Sequence, residues 1–270
     1  KSTFPKSGKR HEAIRDIGRI TGHMHPWVHL DARRATLAVP TTRETERRVR
    51  DLGAKETVTI QSAGLSREDF DMLSAFPLRT EGPFRFMSIG RMLHWKGFHL
   101  GLMAFAEHLK TMPDSEYWFI GDGAEMDNLN KLATELGISD NVRFLGRIPR
   151  AEVLSSIQEC DAMVHPSLHE AGGWVTLESA AAGRPVICLD LGGPGEQVTP
   201  ESGFAVPANT PEQAIHDIAA AMTQLASDPD LKTRMAEAGR KRVEAGFLWD
   251  RAGDLFAKLP PYNSAVNAKE

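Results

Sequence analysis

Two carboxylates separated by seven residues, Glu170 and Glu178, form the most informative chemical pattern in the sequence. Glu170 follows the stretch AMVHPS, and Ala-Gly-Gly then leads into a predicted helix. Gly172 and Gly173 let backbone N–H groups approach an anion, and a helix N-terminus favours negative charge. Carboxylates accept hydrogen bonds from sugar hydroxyls. The layout therefore suits a diphosphate between two polyols, as in a nucleotide sugar.

Two cations lie upstream in the stretch SIGRMLHWKGF. Gly90 permits a tight turn after a predicted strand, Arg91 follows it, and Lys96 opens the next helix. Each charge-assisted hydrogen bond to phosphate contributes about 1.5–3 kcal/mol, and the helix terminus adds about 0.3–1 kcal/mol. An isolated Arg and Lys at a helix start are usually surface residues, so this pattern is informative only beside the two carboxylates.

Two more glycine turns follow predicted strands. GDGAEM lacks the third glycine of G-x-G-x-x-G and also lacks G-x-x-x-x-G-K-[ST], which argues against a dinucleotide dehydrogenase and a P-loop nucleotidase. FLGRIPR places Gly146 and Arg147 at the edge of the predicted sheet, where a base could stack.

The elements that must position these residues alternate regularly from Pro83 onward. The predicted strands are FRFMSIG, YWFIGDG, NVRFLG, AMVHPS and PVICLDL, with helices near 98–109, 124–136, 151–159 and 175–182 and a loop after PVICLDL. Apolar strands that alternate with helices predict a parallel sheet covered on both faces. We therefore predict an α/β fold, a Rossmann-like doubly wound parallel sheet whose ligands bind at the carboxyl ends of the strands.

The remaining elements are predicted from local signals. Thr210-Pro211-Glu212-Gln213 and Asp228-Pro229 begin two helices, and a third covers 249–259. Toward the N-terminus, a helix is predicted over 11–20, and ATLAVP, a helix over 43–52 and TVTIQSAGL indicate the end of a βαβ unit.

The composition, 41% apolar and 25% charged over 270 residues, is that of an ordinary globular protein. Cys160 and Cys188 lie in apolar stretches without metal-ligand spacing, so we predict small core residues and neither a disulfide nor a zinc site. No apolar run approaches the ~18 residues of a membrane span, and the signal-peptide pattern is missing. These features predict a soluble, cytoplasmic protein.

Charge is uneven along the chain. Residues 1–50 hold 12 Lys/Arg against 5 Asp/Glu, whereas the rest holds 20 against 31. This indicates two structural units. The basic one could contact an anionic membrane surface peripherally or bind an acidic acceptor, and a solvated helix face such as RETERRVR explains the same charges. We predict no nucleic-acid partner.

Several histidines are candidates for binding a metal ion or the sugar donor. His23, His25 and His29 are close in sequence, but Pro26 interrupts a single helical face and the nearest carboxylate is Asp31, so an irregular segment is favoured over a metal site. His165 and His169 flank the carboxylate loop: His169 could touch a donor, and a core or rim position explains it equally.

Several of these motifs together resemble glycosyltransferase family 4, a retaining group with the GT-B fold of two Rossmann-like domains across a cleft. They are E-x7-E with PS three residues ahead, AAAGRPVI after it, and G-R-x4-K-G upstream. Their order, spacing and strand context agree over about residues 36–260.

The resemblance implies a role for each matched residue. Arg91 and Lys96 would bind the donor diphosphate, Glu170 the transferred sugar, and Glu178 the nucleotide ribose. Arg147 would lie near the base, and backbone near Gly90, Gly172, Gly173, Trp174 and Val175 would complete the donor site. The two cations would stabilise charge on the leaving diphosphate, with no metal or other cofactor required.

The sequence departs from the family at its N-terminus, where a whole acceptor-binding domain is expected. Residues 1–70 match only the last part of such a domain and its linker, followed by a donor domain over 71–248 and a C-terminal helix and tail over 249–270. The chain begins with Lys, so we favour a fragment of a longer enzyme over a half-enzyme completed by a partner. A fragment would bind the nucleotide sugar but transfer it poorly.

Three other functions are compatible with part of the sequence. Two acids could hydrolyse a glycoside, but hydrolysis gives no reason for the nearby cations. A nucleotide-sugar epimerase could share the fold, but no separate acid/base pair is evident. A non-catalytic nucleotide-sugar-binding module would bind the ligand without turnover.

Overall fold

The computed structural model describes Thr21 and residues 25–259, and the chain divides into two compact units. Among these residues, one unit spans Ala63–Leu248 and the other comprises the residues before 63 and after 248. The predicted helix over 11–20, His23 and the polar tail lie outside the described residues.

The elements are numbered in chain order. The helices are α1 (Pro26–Arg34), α2 (Arg43–Asp51), α3 (Arg67–Ser74), α4 (Phe98–His108), α5 (Met126–Glu135), α6 (Arg150–Ser156), α7 (Trp174–Ala181), α8 (Gly192–Gln197), α9 (Pro211–Ser227), α10 (Pro229–Gly246) and α11 (Trp249–Ala257). The strands are β1 (Arg85–Ile89), β2 (Glu116–Ile120), β3 (Val142–Phe144), β4 (Ala162–His165), β5 (Val186–Leu189) and β6 (Gly203–Val206). Single 3-10 turns occur at His94–Lys96, Ser139–Asn141 and Ile157–Glu159.

The larger unit is built on a six-stranded sheet in the order β3-β2-β1-β4-β5-β6, in which every paired neighbour is parallel. This confirms the predicted Rossmann-like doubly wound fold. The chain leaves β1 toward β2 and β3 and later returns to the other side of β1 with β4. The neighbouring strands β1 and β4 therefore form the topological switch point, where ligands of such sheets bind.

The core lies on both faces of this sheet because successive strand residues point to opposite sides. Phe86 packs in an aromatic cluster with Phe105 and Tyr117 on one face, while its neighbour Met87 packs with Met163 on the other. Cys160 and Cys188 are buried free thiols, as predicted, and burial raises the pKa of both.

Helix starts follow their sequence signals. The Thr210 hydroxyl accepts a hydrogen bond from the Gln213 N–H at 3.2 Å, and the Asp228 carboxylate accepts one from Leu231 N–H at 2.8 Å. Both caps begin the helices that the sequence predicted there.

Two elements beyond β5 differ from the prediction. The predicted loop contains the helix α8, whose sequence GGPGEQ has low intrinsic helix propensity. A Cβ on Gly193 would lie 2.4 Å from the Ala171 carbonyl oxygen, so close packing against the preceding loop selects glycine there. The edge strand β6 was not predicted because Ser202, Gly203 and Pro207 in and around it are residues typical of turns and loops.

The smaller unit contains α1, α2 and α11. Ala38 and Thr57 form a parallel bridge on either side of α2, so the predicted βαβ arrangement is present, although its strands are reduced to one bridge. The segment after His25 is a regular helix, not the irregular stretch that we favoured, because Pro26 occupies a position in its first turn, where proline is tolerated. No helix in the described part of the chain is long and apolar enough to cross a membrane.

Candidate functional site

Two loops leave the carboxyl ends of β1 and β4 at the switch point. The first runs from Gly90 to Gly97 and carries Arg91 and Lys96; the second follows His165 and carries Glu170. The adjacent, parallel strands bring residues far apart in sequence to one edge of the sheet.

The β1 loop is shaped by its glycines. Gly97 has φ 69°, and a Cβ there would lie 1.9 Å from the carbonyl oxygen of Pro166 in the other loop. A side chain at this position would therefore separate the two loops. Gly121, in the turn after β2, is equally constrained: its Cβ would lie 1.9 Å from the Gly90 carbonyl oxygen. This turn therefore packs directly against the β1 loop.

Backbone hydrogen bonds join the two loops directly. The carbonyl oxygen of Trp95 accepts hydrogen bonds from Leu168 N–H at 2.8 Å and from the Ser167 hydroxyl at 3.2 Å. This contact brings the side chain of Lys96 to Glu170, and the Lys96 ammonium donates a hydrogen bond to Glu170 Oε2. The structure thus joins the two predicted site residues that lie 74 positions apart.

Glu170 is ionised in this arrangement. Partial burial opposes the charge, but the hydrogen bond and the charge of Lys96, with His165 and the Gly173 N–H, lower the pKa of the carboxyl below its ordinary value. A carboxylate that is ionised at neutral pH is thereby held beside the loop that carries Arg91.

Arg91 follows β1 as predicted, and its side chain is exposed. Within the part of the chain that the structure describes, it makes no ion pair. The loop therefore presents one neutralised cation, Lys96, and one cation open to an anionic ligand.

His165 is the buried neighbour of this pair. It ends β4 with its side chain 2% exposed, and its Nε2 lies 3.8 Å from Glu170 Oε2. Neither ring nitrogen has a hydrogen-bond partner among the described groups. Burial, aided by the Lys96 charge and opposed by Glu170, lowers the pKa of His165 to about 4. The other histidine considered, His169, has an exposed side chain.

The Ala-Gly-Gly turn leads from Glu170 into α7. Gly173 is the N-cap with φ 75°, and the Gln197 side chain of α8 donates a hydrogen bond to the Gly172 carbonyl oxygen. Trp174 and Val175 begin the helix, so their backbone N–H groups belong to its first turn, where N–H groups point out along the axis. The Trp174 indole N–H donates to the Gly64 carbonyl oxygen at 3.1 Å.

Glu178 lies one turn further along α7 and is almost fully buried, with 2% of its side chain exposed. The Arg150 guanidinium donates to Glu178 Oε1 at 2.7 Å. Burial raises the pKa of Glu178, and the Arg150 hydrogen bond opposes the shift. The two carboxylates of the motif therefore have separate cation partners and opposite pKa shifts.

Arg147 does not join this cluster through any ion pair in the described residues, and its side chain is exposed beyond the edge strand β3. The arginine that reaches Glu178 is instead Arg150, which the sequence did not indicate as a site residue. Arg147 and Arg150 both lie in the stretch FLGRIPR. Pro149, just before Arg150, is the residue in the sequence that indicates the start of a helix at Arg150.

No group of three or more metal-ligating side chains is brought together among the described residues.

Comparisons with known proteins show the family and the fold of the chain. The family model "Glycosyl transferases group 1" matches residues 70–242. The lipopolysaccharide core biosynthesis glycosyltransferase LpsE of Rhizobium meliloti is 34% identical over 215 residues, covering 78% of this chain and 60% of LpsE. The chain thus spans less than two thirds of that relative.

Solved structures show the same architecture. Sucrose-phosphate synthase from Thermosynechococcus elongatus is similar with a TM-score of 0.74 and 25% identity, over 92% of this chain and 62% of that one. HepE from Anabaena, solved in complex with UDP, has a TM-score of 0.69 and 22% identity, over 86% of this chain and 65% of that one. The fold, the matched residues and the relatives agree: the chain belongs to the glycosyl transferases group 1 family.

Proposed function

We propose that the chain binds a nucleoside-diphosphate sugar at the switch point and forms the donor half of a retaining glycosyltransferase of family 4, of the hexosyltransferase type. The observation that carries this proposal is the hydrogen bond between Lys96 and Glu170, beside Arg91, which makes no ion pair with any described residue. Two cations and a charged acceptor at this edge match a ligand with phosphates on one side and hydroxyls on the other.

The diphosphate binds to Arg91 and Lys96, with the first-turn N–H groups of Trp174 and Val175. During transfer the bond from sugar to phosphate breaks, and negative charge grows on the leaving diphosphate. A well-placed charged donor stabilises such a transition state by about 3–4 kcal/mol, by analogy with oxyanion holes. Because Arg91 and Lys96 would neutralise the negative charge of the leaving diphosphate, we propose that transfer requires no metal.

Each of the two carboxylates binds one polyol of the ligand, Glu170 the transferred sugar and Glu178 the ribose. Glu170 accepts hydrogen bonds from the transferred sugar once Lys96 turns to the phosphate, and its low pKa keeps it an acceptor at neutral pH. Glu178, one turn along α7, binds the ribose hydroxyls, and exposed Arg147 lies near the base. HepE, whose structure contains UDP, supports a nucleoside diphosphate as the ligand class.

The acceptor side is proposed to lie outside the larger unit. Residues 1–70 are then the end of an acceptor-binding domain, 71–248 the donor domain, and 249–270 a C-terminal helix and tail. We propose a glycan, a lipid or a small molecule as the acceptor; LpsE, which is longer than this chain, supports a glycan or lipid in polysaccharide assembly. We further propose cytoplasmic action, with the basic residues 1–50 contacting an anionic membrane surface peripherally.

A binding experiment tests the donor site. The purified chain is titrated with UDP, GDP and ADP, and then with sugar conjugates of the nucleotide that binds. A ligand at about 100 times its Kd stabilises the fold by about 2.7 kcal/mol, which shifts Tm by several degrees. Binding of one nucleotide, weakened by Arg91→Met, is expected; absence of binding to all three would contradict the proposal.

A transfer assay tests whether this chain binds the donor but lacks the acceptor side needed for transfer. The chain alone, supplied with the bound donor and candidate glycan acceptors, is expected to release and transfer little sugar. Robust transfer by the chain alone would refute the proposal that it needs a complete acceptor-binding domain for transfer. Binding without turnover, persisting after a complete acceptor domain is supplied, would instead indicate a non-catalytic module. With an active complex, the anomeric configuration of the product by NMR tests retention.

A further inference from the structure

Arg150 connects three elements of the larger unit around Glu178. Its Nη1 lies 2.7 Å from Glu178 Oε1 on α7, and its Nη2 lies 3.7 Å from Asp69 Oδ2 on α3. Arg150 itself opens α6 and is 61% exposed, whereas Glu178 is 2% exposed. A surface arginine therefore covers a buried carboxylate.

This contact favours the ionised form of Glu178 against the effect of burial. Burial raises the pKa of the carboxyl, the hydrogen bond and charge of Arg150 lower it, and Asp69 adds to the rise. The helix α10, packed along α7, carries Arg240, but this arginine donates to the carbonyl oxygens of Phe76 and Ala182. From β4, His165 lies next to Glu170 instead.

The hydrogen bond occupies only one carboxylate oxygen. Glu178 Oε1 accepts from Arg150, while Oε2 accepts no hydrogen bond from the residues that the structure describes. An ionised carboxylate held by one oxygen keeps the lone pairs of the other for two hydroxyl donors, whereas a protonated carboxyl does not.

We propose that Arg150 is a positioning residue for the nucleoside end of the donor: it holds Glu178 by one oxygen and leaves the other to the ribose hydroxyls, with Asp69 orienting the guanidinium. This inference rests on the proposed function, because it takes Glu178 to face a ribose. Arg150 then matters for the nucleoside and not for the diphosphate, which binds to Arg91 and Lys96.

The test compares two ligands in the full chain by calorimetry: inorganic pyrophosphate, and whichever of UDP, GDP and ADP the parent binds best. Arg150→Met is expected to weaken nucleotide binding by up to about tenfold and to leave pyrophosphate binding within about twofold. Arg150→Lys, which keeps a cation, restores part of the loss, and Asp69→Asn causes a smaller one. The matched control is Arg143→Met, a 59% exposed arginine on β3 outside the site.

A pH series separates positioning from general damage. In Arg150→Met, burial acts on Glu178 without its counter-charge, so nucleotide affinity is expected to fall with decreasing pH sooner than in the parent. A structural defect would lower affinity equally at every pH. Equal loss for nucleotide and pyrophosphate, or a pH profile parallel to that of the parent, overturns the inference.

Carboxyl NMR of the chain without ligand tests directly whether Arg150 lowers the pKa of Glu178. With 13C-labelled glutamate, assigned through Glu178→Gln, the Glu178 titration is expected to move to higher pH in Arg150→Met. An unmoved titration overturns the inference alone. A parent chain that binds none of the three nucleotides overturns the proposed function as well, so the two failures are distinguishable.

Discussion

Lys96 and Glu170 meet across the switch point, the ammonium donating to Glu170 Oε2 while the backbone of Trp95 ties their two loops together. In the unliganded chain each charge therefore satisfies the other. A diphosphate that takes Lys96 would release Glu170 as an acceptor. Under the proposed function, this ion pair would couple phosphate binding to sugar binding.

The two cations of the β1 loop should respond differently to substitution. Arg91→Met is expected to weaken nucleoside diphosphate binding about tenfold or more without changing Tm, because Arg91 is exposed and makes no ion pair among the described residues. Lys96→Met should weaken binding and also lower Tm, because it leaves the partly buried Glu170 without its cation. Calorimetry and thermal unfolding of the same samples measure both. Equal stability losses in the two variants would argue against the ion pair.

Gly97→Ala should damage both fold and site. The left-handed backbone alone costs a non-glycine residue about 1–2 kcal/mol, and the added Cβ would meet the Pro166 carbonyl oxygen at 1.9 Å. We expect a loss of stability of about 3 kcal/mol or more. Gly137→Ala is the matched control, with the same φ of 69° and no atom within 4 Å, so only the backbone cost of about 1–2 kcal/mol applies. Urea unfolding compares the two, and similar losses would refute the close contact.

Glu178→Gln should separate stability from binding. Because the folded-state pKa of Glu178 is raised, its ionised form is disfavoured in the fold, and the cost is present at pH values above the folded pKa. The variant should therefore have a higher Tm at pH 7 than the parent and bind nucleotide about tenfold more weakly. At pH values below the unfolded pKa the stability difference should vanish. A variant less stable than the parent at pH 7 would contradict this assignment.

His165 should make the fold sensitive to acid. Its folded pKa of about 4 lies below the ordinary 6.5, so the unfolded chain binds more protons between these values and stability falls as pH falls through this window. At pH 5 the contribution is about 2 kcal/mol. Urea unfolding at pH 7 and pH 5 should show a smaller loss for His165→Leu than for the parent. His216→Gln, at an exposed position, is the control, and an unchanged loss in His165→Leu would contradict the prediction.

The fold was predictable to the extent that its elements are long or strongly patterned. The first five strands and the helices capped by Thr210 and Asp228 lie where periodicity and capping residues indicate them. The helix α8 was not predictable, because its glycines pack against the loop after Glu170, a contact between segments 22 residues apart in the sequence that no local propensity reports. The edge strand β6 is defined by pairing with β5 instead of by its own pattern.

The site was predictable where one element carries the residues. The spacing of Glu170 and Glu178 and the loop of Arg91 and Lys96 were evident in the sequence, and strand order explains why the two loops meet. Which arginine after β3 reaches a carboxylate depends on where α6 begins, so Arg150 was missed while Arg147 was chosen. The burial of His165 against Glu170 likewise follows from packing between strands.

A crystal structure of the chain with the nucleoside diphosphate that it binds best tests the central claim most directly. We expect the diphosphate to contact Arg91 and Lys96, the Lys96–Glu170 hydrogen bond to be broken, and the ribose hydroxyls to contact Glu178. A nucleotide bound elsewhere on the sheet, or bound at this edge with the Lys96–Glu170 pair intact, would contradict the account.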